Sequence, residues 1–157
     1  MERNAYYQTP LGILNISCYG EKITFLKVVP SPGADHCPTP LSDLAYTQII
    51  EYLQGNRTCF DLPLAPSGTA FQRKVWDALS QIPYGEVRTY GSIAAAIGNP
   101  GASRAVGMAC NRNPLWIVIP CHRVIGRNQN LTGYAGGLAI KQALLNLEHQ
   151  YVKNAPD

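Results

Sequence analysis

The chain has 157 residues, 46% of them hydrophobic, which is enough for one compact unit or two small subdomains and too much for disorder. No apolar run reaches the roughly 20 residues that a membrane helix needs, and Met1-Glu2-Arg3-Asn4 leads into nothing like a signal peptide, so a cytoplasmic protein is expected. The formal charge of +3 is unevenly spread: residues 1–68 hold four Lys and Arg against six Asp and Glu, residues 69–157 nine against four, which points the second part toward a polyanionic partner.

In chain order, Ile13–Tyr19, Gly20-Glu21 and Lys22–Val29 predict a β-hairpin. A proline-rich loop from Pro30 to Pro40 follows. Ser42 or Asp43 is placed to cap a helix that runs through Leu44, Ile49, Ile50 and Leu53 and stops at Gly55. A second proline-containing connection, Leu62 to Gly68, is the expected boundary between a supporting domain (1–68) and a second domain (69–157). Five cysteines, an odd number without C-x-x-C spacing, argue against a disulfide scaffold and a zinc ribbon. His36-Cys37 sits among prolines and is a poor metal pair, so no metal is expected.

From Thr69 the pattern becomes helical. Thr69 caps a segment in which Phe71, Val75, Trp76, Leu79 and Ile82 form one apolar stripe. After the Pro83-Tyr84-Gly85 turn, a helix carries Ile93, Ala94 and Ile97, closed by Gly98-Asn99-Pro100-Gly101, and another covers Ala102 to Asn111. Helix, glycine-containing turn, helix is the outline of a helix-turn-helix. Its second helix opens on Ala102 and Ser103 and then Arg104; small side chains admit a groove floor, and a long cation reaches inside. Small residues also simply ease helix packing, and the outline alone leaves both readings open.

Ile117-Val118-Ile119 reads as a short buried strand that Pro120 ends, with Cys121 and His122 immediately after. Adjacent residues diverge on strands and on helices alike, so this pair can act together only on a turn or through a bridging water. A buried structural thiol beside an imidazole is the commoner fate of such a pair. Glycines 126, 133, 136 and 137 then give a loop that permits close backbone approach. A last helix carries Leu138, Ile140, Leu144, Leu145 and Leu147. The predicted fold class is α/β in the α+β sense: a small N-terminal antiparallel sheet with a covering helix, then a mainly helical domain with a winged-helix-like helix-turn-helix.

Together these parts resemble the 6-O-alkylguanine-DNA alkyltransferases, also called methylated-DNA–protein-cysteine methyltransferases. The resemblance rests on Ile119-Pro120-Cys121-His122-Arg123-Val124, the signature around that family's acceptor cysteine. It extends through Phe71-Gln72, Val75-Trp76, Ile82-Pro83-Tyr84-Gly85, Thr89-Tyr90, Arg104-Ala105-Val106-Gly107, Asn113-Pro114 and Gly133-Tyr134-Ala135-Gly136-Gly137-Leu138. It covers roughly residues 70–150 closely and the first part only in outline.

The resemblance implies direct, single-turnover DNA repair by a monomer that needs no cofactor. The alkyl group of 6-O-alkylguanine, and of 4-O-alkylthymine, passes from duplex DNA to Cys121. His122 then resembles the base, acting through a water, and Glu148 the carboxylate that orients it. Asn113 resembles the tie between recognition helix and active-site turn. Tyr90 resembles the donor toward guanine's ring nitrogen 3, and Arg104 the finger that fills the stack when the base flips. Ala102, Ser103, Thr89 and Arg123 are expected on DNA. Val124, Tyr134, Ala135, Gly136, Trp116 and Cys110 are expected around the pocket. Many relatives have serine at position 135, and proline or a smaller residue at 116, so the pocket's alkyl range stays open. A lesion-binding relative without transfer would lack the acceptor cysteine that this chain keeps. A cysteine hydrolase would leave the helix-turn-helix unused, and a transcription factor would need better base readers than Ala102 and Ser103.

Overall fold

The computed structural model describes residues 1–126 and 137–154, with side chains through Val152. The chain divides into two compact units, Met1–Ser67 and Gly68–Asp157.

The first unit is a three-stranded antiparallel sheet in the order β1 (Glu2–Thr9), β2 (Gly12–Tyr19), β3 (Lys22–Val29) with one helix, α1 (Pro40–Leu53). The expected hairpin is β2–β3: Tyr19 pairs with Lys22 across a two-residue turn whose Gly20 sits at φ 59, a conformation that glycine adopts freely. Strand β1 is an addition to the sequence reading. Its Glu2, Arg3, Asn4, Gln8 and Thr9 give no apolar alternation, and it forms by pairing along the whole of β2, from Glu2 with Tyr19 to Thr9 with Gly12. The helix starts earlier than expected. Its cap is Thr39, not Ser42 or Asp43: the Ser42 N–H donates to the Thr39 hydroxyl at 3.1 Å, and the Thr39 N–H to the Ser42 hydroxyl at 2.8 Å. Pro40 then takes the first helical position, where its missing N–H costs nothing. Leu14, Ile16, Leu26, Ala45, Ile49 and Tyr52 are buried and form the core of this unit.

The second unit holds α2 (Ala70–Leu79), α3 (Tyr90–Ala96), α4 (Ser103–Asn111) and α5 (Leu138–Asn154). Thr69 caps α2 in a capping box with Gln72, and the α2 stripe of Val75, Trp76 and Leu79 is buried. The Trp76 indole donates to the Ala109 carbonyl at 2.9 Å and so fixes α2 to the end of α4. Helices α3 and α4 pack on each other and on α2. Just before α3, the two-residue strand β4 (Arg88–Thr89) pairs in parallel with β5 (Val124–Ile125), which follows the Cys-His segment. The predicted strand at 117–119 is instead a turn, with Ile117 at φ 73. Its β-branched residues signal burial rather than extension: Ile117 and Ile119 are buried and Val118 is half-buried. Among the described residues no helix is long and apolar enough to cross a membrane.

Candidate active site

Cys121, His122 and Arg123 form one turn of 3₁₀ helix directly after Pro120, and all three are buried. This is the turn geometry that lets adjacent side chains serve one site. Two ties hold it. The β4–β5 pairing joins its exit to the entry of α3, and Asn113, just beyond α4, joins its start to the recognition helix. The Asn113 amide donates to the Ile119 carbonyl at 2.9 Å and to the Cys121 sulfur at 3.1 Å, while its oxygen accepts the Leu115 N–H at 2.9 Å. A fully buried amide aimed at a sulfur favours the negative thiolate over the thiol.

Glu148, 1% exposed, comes from α5 and organises the other side. Its Oε2 lies 2.6 Å from His122 Nε2, and Arg123 grips both carboxylate oxygens, Nε to Oε1 at 2.8 Å and Nη2 to Oε2 at 2.9 Å. The Gly85 N–H donates to Oε1 at 3.1 Å, and Arg123 Nη1 donates to the Ile82 carbonyl at 2.8 Å. Burial on its own would raise this carboxyl, but the hydrogen bonds and charges of His122 and Arg123 outweigh it and hold the group at about 2. Burial lowers the His122 imidazole, against the pull of Glu148. Arg123 is therefore the cation that balances Glu148, and the imidazole is neutral. Nε2–H donates to the carboxylate, which leaves Nδ1 as the basic nitrogen. That Nδ1 is buried and takes no hydrogen bond from any described residue.

The structure corrects one expected DNA contact. Arg123 is 6% exposed and turned inward on Glu148 and Ile82, because a buried carboxylate needs a buried cation. The other positions fall as follows. Thr89 is the cap of α3 and Tyr90 its first residue, both half-buried. Ala102 caps α4, Ser103 opens it, and Arg104 is exposed on its first turn. Val124, Trp116 and Cys110 are buried, and burial pushes the Cys110 thiol far up, so it stays protonated. Tyr134, Ala135 and Gly136 lie outside the described residues.

Sequence reasoning missed Lys141. It is fully buried, its ammonium donates to the Val124 carbonyl at 2.6 Å, and it lies 5.9 Å from the centre of the Tyr90 ring. A signal for it existed. Lys141, Leu144 and Glu148 are spaced i, i+3, i+7, so they share one face of α5, and that is the buried face. Reading α5 by its leucines alone hides this, since Leu138 is 54% exposed.

Comparison with known proteins gives the following. Residues 70–150 match the DNA-binding domain of 6-O-methylguanine DNA methyltransferase, and residues 3–66 match the ribonuclease-like domain of the same proteins. A constitutive methylated-DNA–protein-cysteine methyltransferase of Bacillus subtilis is 50% identical over 151 residues, covering 90% of this chain and 92% of that one. One from Methanosarcina acetivorans is 62% identical over 104 residues, covering 66% and 67%. Among solved structures, the O6-methylguanine methyltransferase of Mycobacterium tuberculosis superposes with a TM-score of 0.89 at 43% identity over 99% of this chain and 96% of that one. The same protein in complex with DNA gives 0.86 at 44% identity, over 95% and 94%.

Proposed function

The chain belongs to the 6-O-methylguanine DNA methyltransferase family, and from that premise we propose that it repairs 6-O-alkylguanine in duplex DNA by moving the alkyl group onto Cys121. Its relatives carry the name methylated-DNA–protein-cysteine methyltransferase. The observation that carries the assignment to Cys121 is the Asn113 amide on its sulfur, opposite a neutral His122 braced by Glu148.

In this reading the Cys121 proton passes through a water to His122 Nδ1, the atom that no described residue occupies. Sulfur attacks the alkyl carbon, the S–C bond forms, and the C–O bond breaks with its electron pair leaving on guanine. Tyr90 donates a proton to the departing ring. The alkyl group stays as a thioether, so each molecule acts once. Arg104, exposed at the start of α4, enters the stack as the base leaves it. Ala102 and Ser103 lie along the minor groove and Thr89 near the phosphates. Trp116 and Cys110 wall the pocket with Val124. Alkylated thymine is a second substrate of the same pocket. The protein works as a cytoplasmic monomer without a cofactor, and its first unit supports the second.

The test is repair of a duplex with one 6-O-methylguanine inside a restriction site. The parent protein restores cleavage of one duplex per protein molecule, and Cys121→Ala restores none while still binding the duplex. Cleavage restored by Cys121→Ala would remove Cys121 from the role.

A further inference from the structure

We propose that Met108 and Arg112 carry the duplex contact of α4 beyond Arg104: Met108 is an apolar wedge against the sugars of the minor groove, and Arg112 anchors a backbone phosphate at the far end of the helix. The inference deepens the reading of α4 as the helix that meets duplex DNA and rests on it.

The charge distribution points to this face. Between Glu86 and Glu148 the sequence holds no Asp or Glu. Of the basic side chains described in that interval, Arg123 and Lys141 are buried and Arg88 bonds Glu86 at 3.0 Å. Among the described residues that leaves Arg104 and Arg112 as the exposed cations of the interval, and both belong to α4 or its cap. They stand two turns apart, about 12 Å along the axis. Met108 lies midway, four residues from each, so the three side chains line one face. The helical spacing holds to the end, because the Arg112 N–H bonds the Met108 carbonyl at 3.1 Å.

The opposite face of α4 is packed, with Val106, Ala109 and Cys110 buried, whereas Met108 is 66% exposed. A single exposed apolar side chain is ordinary on a protein surface. One set between two cations, on a face without a carboxylate, matches the alternation of sugar edge and phosphate along a groove wall. The minor groove is about 6 Å wide, and a helix with its side chains is about 10 Å across. Helix α4 therefore rides on the groove, and only projecting side chains enter it. Small residues let its first turn come close; Met108 is the apolar side chain of the next turn long enough to reach in. Methionine is among the wedges with which minor-groove proteins open base steps. Its thioether donates no hydrogen bond, so it grips without reading sequence. Arg112 adds affinity by neutralising phosphate, which is equally blind to sequence. Both properties suit a protein that acts on a lesion in any surroundings.

The test is binding of undamaged duplex, by fluorescence anisotropy between about 50 and 200 mM salt, for the parent, Met108→Ala, Met108→Leu and Arg112→Gln. Arg112→Gln is expected to make the slope of log affinity against log salt shallower by about one. Met108→Ala is expected to weaken binding about fivefold at every salt concentration, with the parent's slope. Met108→Leu keeps the apolar volume and is expected to bind within about twofold of the parent. Since both positions are exposed, all three variants keep the parent's thermal midpoint. The parent's affinity in Met108→Ala, or the parent's slope in Arg112→Gln, overturns the proposal. If Met108→Ala changes only the sedimentation of the DNA-free protein, the face belongs to a second copy of the chain and the proposal is equally overturned. A parent that binds no duplex at any salt refutes the DNA reading of α4 itself, a failure distinct from that of the two residues.

Discussion

Asn113 shows how much chemistry one side chain carries. It satisfies the Ile119 carbonyl, the Cys121 sulfur and the Leu115 N–H at once, from complete burial. Asn113→Ala strands these groups and is expected to cost about 2–4 kcal/mol in urea unfolding. Asn113→Asp keeps the acceptor for Leu115 but sets a carboxylate against the sulfur. It is expected to slow methyl transfer about a hundredfold or more, with a smaller loss of stability than alanine causes. An aspartate variant as fast as the parent would take the sulfur contact out of the mechanism. Arg104 is a separate case, exposed on the first turn of α4. Arg104→Ala is expected to slow repair of duplex DNA at least tenfold and to leave reaction with free 6-O-benzylguanine within about twofold, because only the duplex requires a base to be flipped. Equal losses on both substrates would argue against the finger. At this scale the motif around Cys121 pointed to the Cys121–His122 turn, and the family resemblance pointed to Glu148, which meets His122 at 2.6 Å. The inward turn of Arg123 was not legible, because a sequence gives an arginine's charge but not the burial that decides its partner.

The elements explain how the turn that carries Cys121 is held in place. β5 leaves the turn and pairs with β4, which feeds α3, while the 113–120 segment enters it from α4. α3 and α4 are thereby both tied to the sulfur through short backbone routes. Ile117 sits at φ 73 within the entering segment, where a β-branched residue costs about 1–3 kcal/mol in strain. Ile117→Gly removes that strain along with the buried side chain, whereas Ile119→Gly removes only packing. The Ile119 variant is therefore expected to be the less stable of the two by about 1–3 kcal/mol in urea unfolding. The α5–turn network also sets the acid response. Glu148 is held at about 2 and His122 is lowered by burial, so in both cases the unfolded chain takes the proton first as pH falls. His122 contributes stability above its ordinary range near 6.5 and Glu148 above its ordinary range near 4.3. The Glu148 contribution disappears as pH drops toward 2. Urea midpoints measured between pH 5 and pH 3 are expected to fall more steeply for the parent than for Glu148→Gln, which is the weaker protein throughout. Parallel slopes would detach Glu148 from acid lability. The capping box at Thr69 could be read directly because its spacing is local. The strand predicted at 117–119 misled because a buried β-branched run looks the same in a strand and in a packed turn.

In the whole molecule, the excess of basic residues lies in the unit that holds both the acceptor turn and the helix-turn-helix. Charge asymmetry and motif spacing were visible in one dimension, as was the hairpin in the first unit. Strand β1 and the buried Lys141 were not, since the first needs β2 beside it and the second needs the whole α5 face assigned. The basic unit implies that affinity for undamaged duplex falls steeply with salt while the chemical step on free base does not; a salt-independent affinity would place DNA elsewhere. The central claim, that Cys121 takes an alkyl group once and keeps it, is tested most directly by intact-protein mass spectrometry. The protein is incubated with duplex containing one 6-O-methylguanine, then weighed and peptide-mapped. The account predicts a gain of one methyl, about 14 Da, confined to the peptide of Cys121 and saturating at one per protein. An unchanged mass with tight lesion binding, or methyl on any other residue, would contradict it.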